Sequence, residues 1–222
     1  MKKTLRLIFI AMLAIMPTSF AVGESADSTV IQYYLKQARN SFETTYIYNL
    51  KSNFECRAKA IATLTNYRGK LDQVDTSVYE IMYADGEISS IDMTDTARMA
   101  ENVIPEMTIP DMPWELDCWF YFFPNDTGGE NISIGFEPND ATKSGAASGF
   151  IMLDRYNFTV KEYTIYESNG QFSDRYSRVY SFEYRDLLTV PTALERHWRA
   201  GGFWGRKYYF QKITFDNYQM AE

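Results

Sequence analysis

Hydrophobic residues recur along this chain with two different periods. One apolar stripe has helical spacing within ADSTVIQYYLKQARNSFETT and consists of Ile31, Tyr34, Leu35, Ala38 and Phe42. This spacing predicts an amphipathic helix. The segment MTDTARMAENVIPE predicts a second, shorter helix that begins near Thr94 or Asp95 and stops at Pro105.

Most of the remaining chain alternates every second residue, as a strand with one buried face does. In NFECRAKAIATLTNYRG the small and apolar positions of one face are Cys56, Ala58, Ala60, Ala62 and Leu64. The alanines leave a short helix as the alternative, and Ile61 breaks the alternation. In SVYEIMYADGEISSIDM, Asp85-Gly86 separates two strand-like runs, which is a strong hairpin signal.

Later segments continue this alternation and predict the fold class. In RYSRVYSFEYR, Tyr180, Phe182 and Tyr184 share one face of the strand. In TVPTALERHWR, Val190, Leu194 and Trp198 share one face, and His197 is on the other face. In all, the pattern predicts about nine to eleven strands, two helices and one dry sheet face. We therefore expect an α+β fold, in which helices cover the concave apolar face of a strongly curved antiparallel sheet.

The segment DCWFYFFPND does not fit this alternation. Its five consecutive aromatic residues, Trp119 to Phe123, would place apolar rings on both faces of a strand. The run therefore predicts a strand that is buried on both sides, with cavity lining as the functional extension. The alternative is that helix side chains fill the interior, because native interiors are close-packed.

The first residues predict a bacterial signal peptide. A basic start, MKKTLR, precedes a short apolar segment, and SFA at positions 19–21 fits the small-x-small cleavage rule. The apolar segment is shorter than the ~20 residues that a membrane-spanning helix needs. No cysteine lies near the cleavage point for lipid attachment. We expect residues 1–21 to be removed and residues 22–222, which contain no repeat or linker, to form one periplasmic domain.

Charge and composition argue against several classes of function. The formal net charge of −7 disfavours a nucleic-acid partner, which would need a basic face. His197 is the single histidine and no nucleophile elbow surrounds any serine, so we expect no catalytic site. We expect no metal site and no cofactor. In an exported protein, Cys56 and Cys118 could form a disulfide or remain two buried thiols.

The order of these segments resembles the periplasmic outer-membrane lipoprotein carrier family, whose relatives include lipoprotein-sorting proteins. The similarity lies in the exported N-terminal helix, the YADGE hairpin, the aromatic strand and SGFIMLDRYNFTVKEYTI. Val190-Pro191 and the FDNY segment at 215–218 resemble two late strands of the family. The resemblance implies an incomplete, open β-barrel with helices as a lid over an apolar cavity.

The resemblance also implies a function. We expect a non-enzymatic carrier or chaperone that binds an acyl chain or the lipid part of a lipoprotein, with membrane-associated proteins as further partners. The alternative is a protein-interaction or glycan-binding module with a filled core, because acidic and aromatic residues together also suit sugars. The oligomeric state is left open. The candidate cavity residues are Trp119, Tyr121, Phe150, Met152, Tyr180, Phe182 and Tyr184.

Overall fold

The structure is a computed structural model of the 222-residue chain. It describes residues 28–50, 53–66, 68, 70–85, 87–95, 111–122, 129–141, 146–168, 175–200 and 207–220. The expected signal peptide, residues 1–21, lies outside the described residues. In the described part, no helix has both the length and the apolar character that a membrane crossing requires.

Helix α1, Ser28–Thr45, forms where the apolar stripe predicts it. Four residues of the stripe are buried and Tyr34 is half-buried, so the stripe is the face that packs on the sheet. The solvent face carries an ion pair between Arg39 Nε and Glu43 Oε1, one turn apart, at 2.7 Å. The described part also contains two short 3-10 helices, Ile47–Leu50 and Pro113–Glu115.

Ten strands of the described part form one sheet, in which every pairing is antiparallel. Their spatial order is β3-β2-β1-β10-β9-β8-β7-β6-β5-β4, so β3 and β4 are the edges and the sheet is not closed. The expectation of a large antiparallel sheet is confirmed. The strands are β1 (Phe54–Asn66), β2 (Leu71–Ala84), β3 (Glu87–Asp95), β4 (Cys118–Phe122), β5 (Asn131–Pro138), β6 (Ala147–Asp154), β7 (Val160–Ser168), β8 (Arg175–Arg185), β9 (Leu188–Ala200) and β10 (Lys207–Met220).

Strand β1 and the hairpin that follows it agree with the sequence pattern. Burial alternates strictly from Phe54 to Ala60, so the alternative of a helix over the alanines is wrong. Strands β2 and β3 meet in a two-residue turn, because Ala84 pairs with Glu87. Asp85 in this turn has a φ of 56°, the positive value that tight hairpin turns require.

Strand β3 occupies the start of the second predicted helix. Met93 pairs with Tyr79 and Asp95 pairs with Val78, so the cap at Thr94 is wrong, because the strand continues through Asp95. A cap at Asp95 stays a prediction, since the helix would then begin at residue 96. The pairing with β2 satisfies the backbone groups that a helix would otherwise use. The rest of that segment, residues 96–106, lies outside the described residues. Of the helices expected over the apolar face, α1 is therefore the one that the described part contains.

Strand β4 corrects the interpretation of the aromatic run. It is an edge strand that pairs with β5 alone among the described strands. The Trp119 side chain is 51% exposed, and Phe120, Tyr121 and Phe122 are half-buried, so the strand is not covered on both faces. The Trp119 and Tyr121 rings partly cover each other, because their centroids are 5.1 Å apart.

Candidate functional site

The strand register sorts the side chains of the sheet into rows, because directly opposite residues share a face. We define the inner face as the face on which α1 packs. One inner row crosses nine strands, and every member except half-buried Phe122 is buried. We call it the apolar row, and it consists of Phe122, Ile134, Ile151, Tyr163, Tyr180, Leu194, Ile213, Ala60 and Ser77.

Helix α1 lies across one end of this inner face. The Phe42 and Phe182 rings meet edge to face with centroids 5.6 Å apart, and Tyr34 meets Phe122 at 6.0 Å. The Thr45 and Thr189 hydroxyls are hydrogen-bonded at 2.8 Å. These contacts place α1 against β4, β8 and β9, on the side of Phe182.

A second segment packs on the middle of the apolar row. The Tyr163 hydroxyl donates a hydrogen bond to the Asp111 carbonyl oxygen at 2.8 Å, and Met112 beside it is buried. Burial, with the nearby Tyr180, raises the pKa of Tyr163 well above its ordinary value. The positive charge of Arg178, a diagonal neighbour on β8, acts in the opposite direction on this pKa.

The next inner row changes from apolar to polar along its length. We call it the arginine row, and it consists of Phe120, Phe136, Gly149, Ile165, Arg178, Arg196, Gln211 and Ala62. Arg178 forms an ion pair with Glu167 and also donates a hydrogen bond to the Tyr180 hydroxyl at 3.3 Å. The Arg178 side chain is only 18% exposed. Two arginines therefore lie side by side on a largely buried surface.

An aromatic pair follows the arginines on the same face. Trp198 and Tyr209 are opposite each other on β9 and β10, and their rings stack at 5.0 Å with an interplanar angle of 5°. Both side chains are half-buried. Along β8 and β9 the inner face thus passes from buried Phe182 and Tyr180, through the arginines, to a half-exposed aromatic end.

The two cysteines are free, so the candidate disulfide between Cys56 and Cys118 is wrong. Cys56 lies on β1 and Cys118 on β4, which are not neighbours in the sheet. Burial raises the pKa of the Cys56 thiol to about 12, and burial also raises the pKa of Cys118. Both thiols are unpaired and kept neutral at ordinary pH, as in the alternative, but Cys56 is buried whereas Cys118 is only half-buried.

The seven candidate cavity residues divide between the two faces of the sheet. Tyr180 and Phe182 lie on the inner face and are each 7% exposed. Tyr184 lies at the end of β8 and is 38% exposed. The remaining four lie on the outer face: Trp119, Tyr121, Phe150 and Met152.

Local geometry fixes these outer positions. Tyr121 and Phe150 are both opposite Gly135, and a Cβ atom built on Gly135 would lie 2.4 Å from Tyr121 Cζ. The Cζ end of the Tyr121 ring therefore lies directly over the glycine. The four outer residues, Trp119, Tyr121, Phe150 and Met152, therefore do not line a cavity on the inner face.

The two inner arginines are not among the site residues predicted from the sequence. Arg178 precedes Tyr180 by two residues, and Arg196 follows Leu194 by two residues. Residues two apart on a strand share a face. This two-residue spacing is the signal that would have placed both arginines on the dry face.

The single histidine, His197, lies on the outer face. The His197 side chain is exposed, and its ring is 4.6 Å from that of Phe210. Within the described ranges, no group of three or more His, Cys, Asp or Glu side chains is arranged to hold a metal ion.

Comparison with known proteins gives fold-level similarity only. No protein-family profile matches the chain, and no curated protein matches it. Among solved structures, it is similar to an outer membrane lipoprotein-sorting protein domain from Vibrio parahaemolyticus, with 9% identity and a TM-score of 0.43 over 86% of this chain and 93% of that one. It is also similar to MucB, solved in complex with MucA(peri), with 7% identity and a TM-score of 0.27 over 86% of this chain and 99% of that one.

Proposed function

We propose that this chain is an exported periplasmic protein that binds an apolar ligand on the inner face of a curved, incomplete barrel. The ligand is an acyl chain or the lipid part of a lipoprotein, and the protein acts as a carrier or chaperone without catalysis. Membrane-associated proteins would deliver or receive the ligand. The observation that carries the proposal is the apolar row, which is buried on eight of its nine strands.

The width of that row supports a curved sheet around a shared interior. Nine neighbouring strands span about 38 Å when flat, because strands are ~4.8 Å apart. Helix α1 contacts β4 through Tyr34 and β9 through Thr45, so its axis runs across the strands. At a rise of about 1.5 Å per residue, its 18 residues span about 27 Å, which is less than the width of the row. We infer that curvature brings the two ends of the row towards each other.

The distribution of side-chain size along the row supports space for a ligand. Strands β7 and β8 contribute Tyr163 and Tyr180, whereas β1 and β2 contribute Ala60 and Ser77. Ala58, two residues from Ala60, is also buried on this face. Small residues on one side of a concave interior leave volume that larger residues would fill.

An Ala60→Phe substitution tests the proposal against a filled interior. If the interior holds a ligand, the new ring should occupy the ligand's space, displace lipid and leave the free energy of unfolding within about 1 kcal/mol of wild type. If the interior is filled, the ring should overpack it and cost ~1–3 kcal/mol. Native mass spectrometry of protein purified from periplasm should find lipid with the wild type and none with the variant.

The matched control is Ile61→Phe, which adds a ring at the next residue on the outer face and should retain the lipid. A bare wild-type mass, together with a large loss of stability in Ala60→Phe, would contradict the carrier proposal.

The outer face supports glycan binding as a second candidate function. Trp119 is 51% exposed beside Tyr121, and Glu137 lies opposite Trp119 on the neighbouring strand. Exposed rings can stack on sugar faces, and a carboxylate can accept hydrogen bonds from sugar hydroxyls. Co-sedimentation with purified peptidoglycan that is lost in Trp119→Ala and kept in Ala60→Phe would favour this function.

A further inference from the structure

A tyrosine hydroxyl on the inner face of the sheet is buried without a hydrogen-bond partner. Tyr79 lies on β2, two residues after Ser77 of the apolar row, so its side chain is on the inner face. Tyr79 is 3% exposed, and no group in the part of the chain that the structure describes forms a hydrogen bond with its hydroxyl. By contrast, the hydroxyls of Tyr163 and Tyr218 each donate a hydrogen bond to a backbone carbonyl oxygen at 2.8 Å. The chain itself therefore leaves the Tyr79 hydroxyl unsatisfied.

Small side chains lie next to Tyr79 on the neighbouring strand. Tyr79 is directly opposite Ala58 on β1, and Ser77 is opposite Ala60. Ala58 and Ala60 are 0% and 1% exposed, so this part of the sheet belongs to the interior. A tyrosine side chain is much longer than an alanine methyl group. The hydroxyl of Tyr79 therefore projects beyond Ala58 into the interior.

A second tyrosine of β2, Tyr83, has different surroundings. Its ring stacks on that of Phe54 with centroids 4.4 Å apart, and its centroid is 4.9 Å from that of Tyr48. Aromatic rings thus fill the space beside Tyr83, whereas alanines lie beside Tyr79. Because small residues leave volume that larger ones would fill, the side-chain sizes favour a ligand beside Tyr79.

Burial makes the Tyr79 hydroxyl a stronger ligand contact than an exposed hydroxyl would be. A buried hydroxyl without a partner raises the free energy of the ligand-free protein, because it has given up its hydrogen bonds with water. An exposed hydroxyl exchanges water for a ligand group on binding, so its net gain is small. A ligand acceptor at Tyr79 would instead add a hydrogen bond where the ligand-free protein has none.

Three kinds of acyl group differ in how well they suit such a hydroxyl. A carboxylate accepts hydrogen bonds but carries a charge, which is costly to bury without a partner. A secondary amide accepts through its carbonyl oxygen but brings an N–H that needs a partner of its own. An ester brings a carbonyl acceptor and neither a charge nor a donor. An ester therefore best matches a single neutral hydroxyl among apolar side chains.

We propose that the Tyr79 hydroxyl donates a hydrogen bond to the carbonyl oxygen of an acyl ester, whose chain lies over Ala58 and Ala60 on the inner face. This inference rests on the proposed function, because it gives the linkage by which the bound acyl chain is recognised. Apolar contact is non-directional and allows a chain to slide along the sheet. A hydrogen bond is directional, so the ester would fix the position of the chain.

The first test observes the carbonyl group directly. Methyl octanoate with a heavy carbon isotope at its carbonyl is bound to the full, delipidated protein, and isotope-edited infrared spectroscopy records the ester stretch. A hydrogen bond to the oxygen weakens the C=O bond, so the stretch should have a lower frequency in the wild type than in Tyr79→Phe. The stretch in Tyr79→Phe should match that of the ester in alkane solution. Tyr83→Phe is the matched control and should keep the wild-type frequency.

Affinity provides a second test. Tyr79→Phe should weaken the binding of methyl octanoate about tenfold, and it should leave the affinity for 1-chlorooctane, a poor acceptor with a similar chain, within about twofold. Displacement of the apolar fluorescent probe N-phenyl-1-naphthylamine measures both affinities. Tyr83→Phe should leave both within about twofold of wild type.

The stability of the ligand-free variant shows whether the hydroxyl has a partner within the chain. Tyr79→Phe should unfold at the same urea concentration as the wild type or a higher one, because it removes an unsatisfied hydroxyl and keeps the ring. A lower midpoint, or failure to fold, would overturn the inference, because the chain itself would then satisfy the hydroxyl.

The outcomes separate this inference from the proposed function. Binding of methyl octanoate to the wild type with an ester stretch unchanged from alkane solution would overturn the Tyr79 site and leave the apolar interior standing. A lowered stretch that persists in Tyr79→Phe would also overturn the site, because water or another donor would then serve the ester. Failure of both methyl octanoate and 1-chlorooctane to bind would overturn the inference and the proposed function together.

Discussion

At the scale of single residues, the turn between β8 and β9 contains a leucine in a conformation that suits glycine. Asp186 and Leu187 have φ values of 51° and 65°, and Arg185 pairs with Leu188 across the turn. Two positive φ values are the pattern of a tight hairpin turn, in which Asn-Gly or Asp-Gly is usual. The Leu187 side chain is 77% exposed, so it gains little from packing. Leu187 is therefore strained without an evident compensation.

We expect Leu187→Gly to raise the free energy of unfolding by about 1 kcal/mol. A left-handed conformation costs an L-residue other than glycine about 1–2 kcal/mol, and the greater flexibility of glycine in the unfolded chain offsets part of the gain. Urea titration followed by circular dichroism measures the change. Leu187→Ala is the control, because it removes the same exposed side chain and keeps the strain. Equal effects of the two substitutions would contradict the explanation.

At the scale of elements, two glycines on neighbouring strands differ in what surrounds them. A Cβ atom on Gly149 of β6 would lie 1.9 Å from the Thr164 carbonyl oxygen of β7. A Cβ atom on Gly135 of β5 would instead meet the end of the Tyr121 ring. The first obstacle is backbone of a central strand, and the second is a side chain on the edge strand. Only the second can move aside without disturbing the sheet.

Gly149→Ala should therefore cost at least about 3 kcal/mol of unfolding free energy, since overpacking against fixed atoms costs ~1–3 kcal/mol or more. Gly135→Ala should cost less than about 1 kcal/mol, because Tyr121 can rotate away. Thermal unfolding of both variants beside wild type provides the comparison. Similar losses for the two would mean that Tyr121 is as fixed as the backbone of β7.

These elements also indicate how far the sequence predicts the structure. The stripe of α1, the alternation of β1 and the turn at Asp85 depend on neighbours in the chain, and all three are confirmed. The position of β4 at an edge depends on the order of all the strands in the sheet, and no local sequence pattern encodes that order. The faces of Phe150 and Met152 depend on a register that only the paired strands define.

The arginines are an intermediate case. Their parity with Tyr180 and Leu194 places them on the dry face, although charged residues are usually assigned to the solvent face. Their direct opposition, in contrast, depends on the register between β8 and β9.

At the scale of the whole molecule, the interior contains many tyrosine hydroxyls. Burial is the largest cause that raises the pKa of Tyr46, Tyr48, Tyr83 and Tyr163 above the ordinary value. The folded state therefore retains these protons at a pH where the unfolded chain, with tyrosine pKa values near ~10, has lost them. Their contribution to stability is complete below about pH 10 and is lost as the pH rises towards the folded values.

We expect the free energy of unfolding to fall by about 1.4 kcal/mol per pH unit for each of these four groups above pH ~10. Against a typical stability of about 5–15 kcal/mol, the fold should be lost cooperatively within about one to three pH units. Circular dichroism and tyrosinate absorbance, measured together, should change at the same pH. Tyr46→Phe should move that midpoint upward. Gradual ionisation of all tyrosines at unchanged circular dichroism would contradict this expectation.

The pairing of β1 with β10 has a consequence for how the chain acquires its fold. These strands join the two ends of the described sequence, with Ala60 opposite Ile213 and Asn66 opposite Lys207. Contacts so distant in sequence form slowly, because a long loop must close before they contribute. Until β10 arrives, β1–β3 and β4–β9 are two separate sheets with four open edges in place of the final two. Unpaired edges are sites of aggregation, so the nascent chain is most vulnerable just before its last strand emerges, which is when a holding chaperone would act.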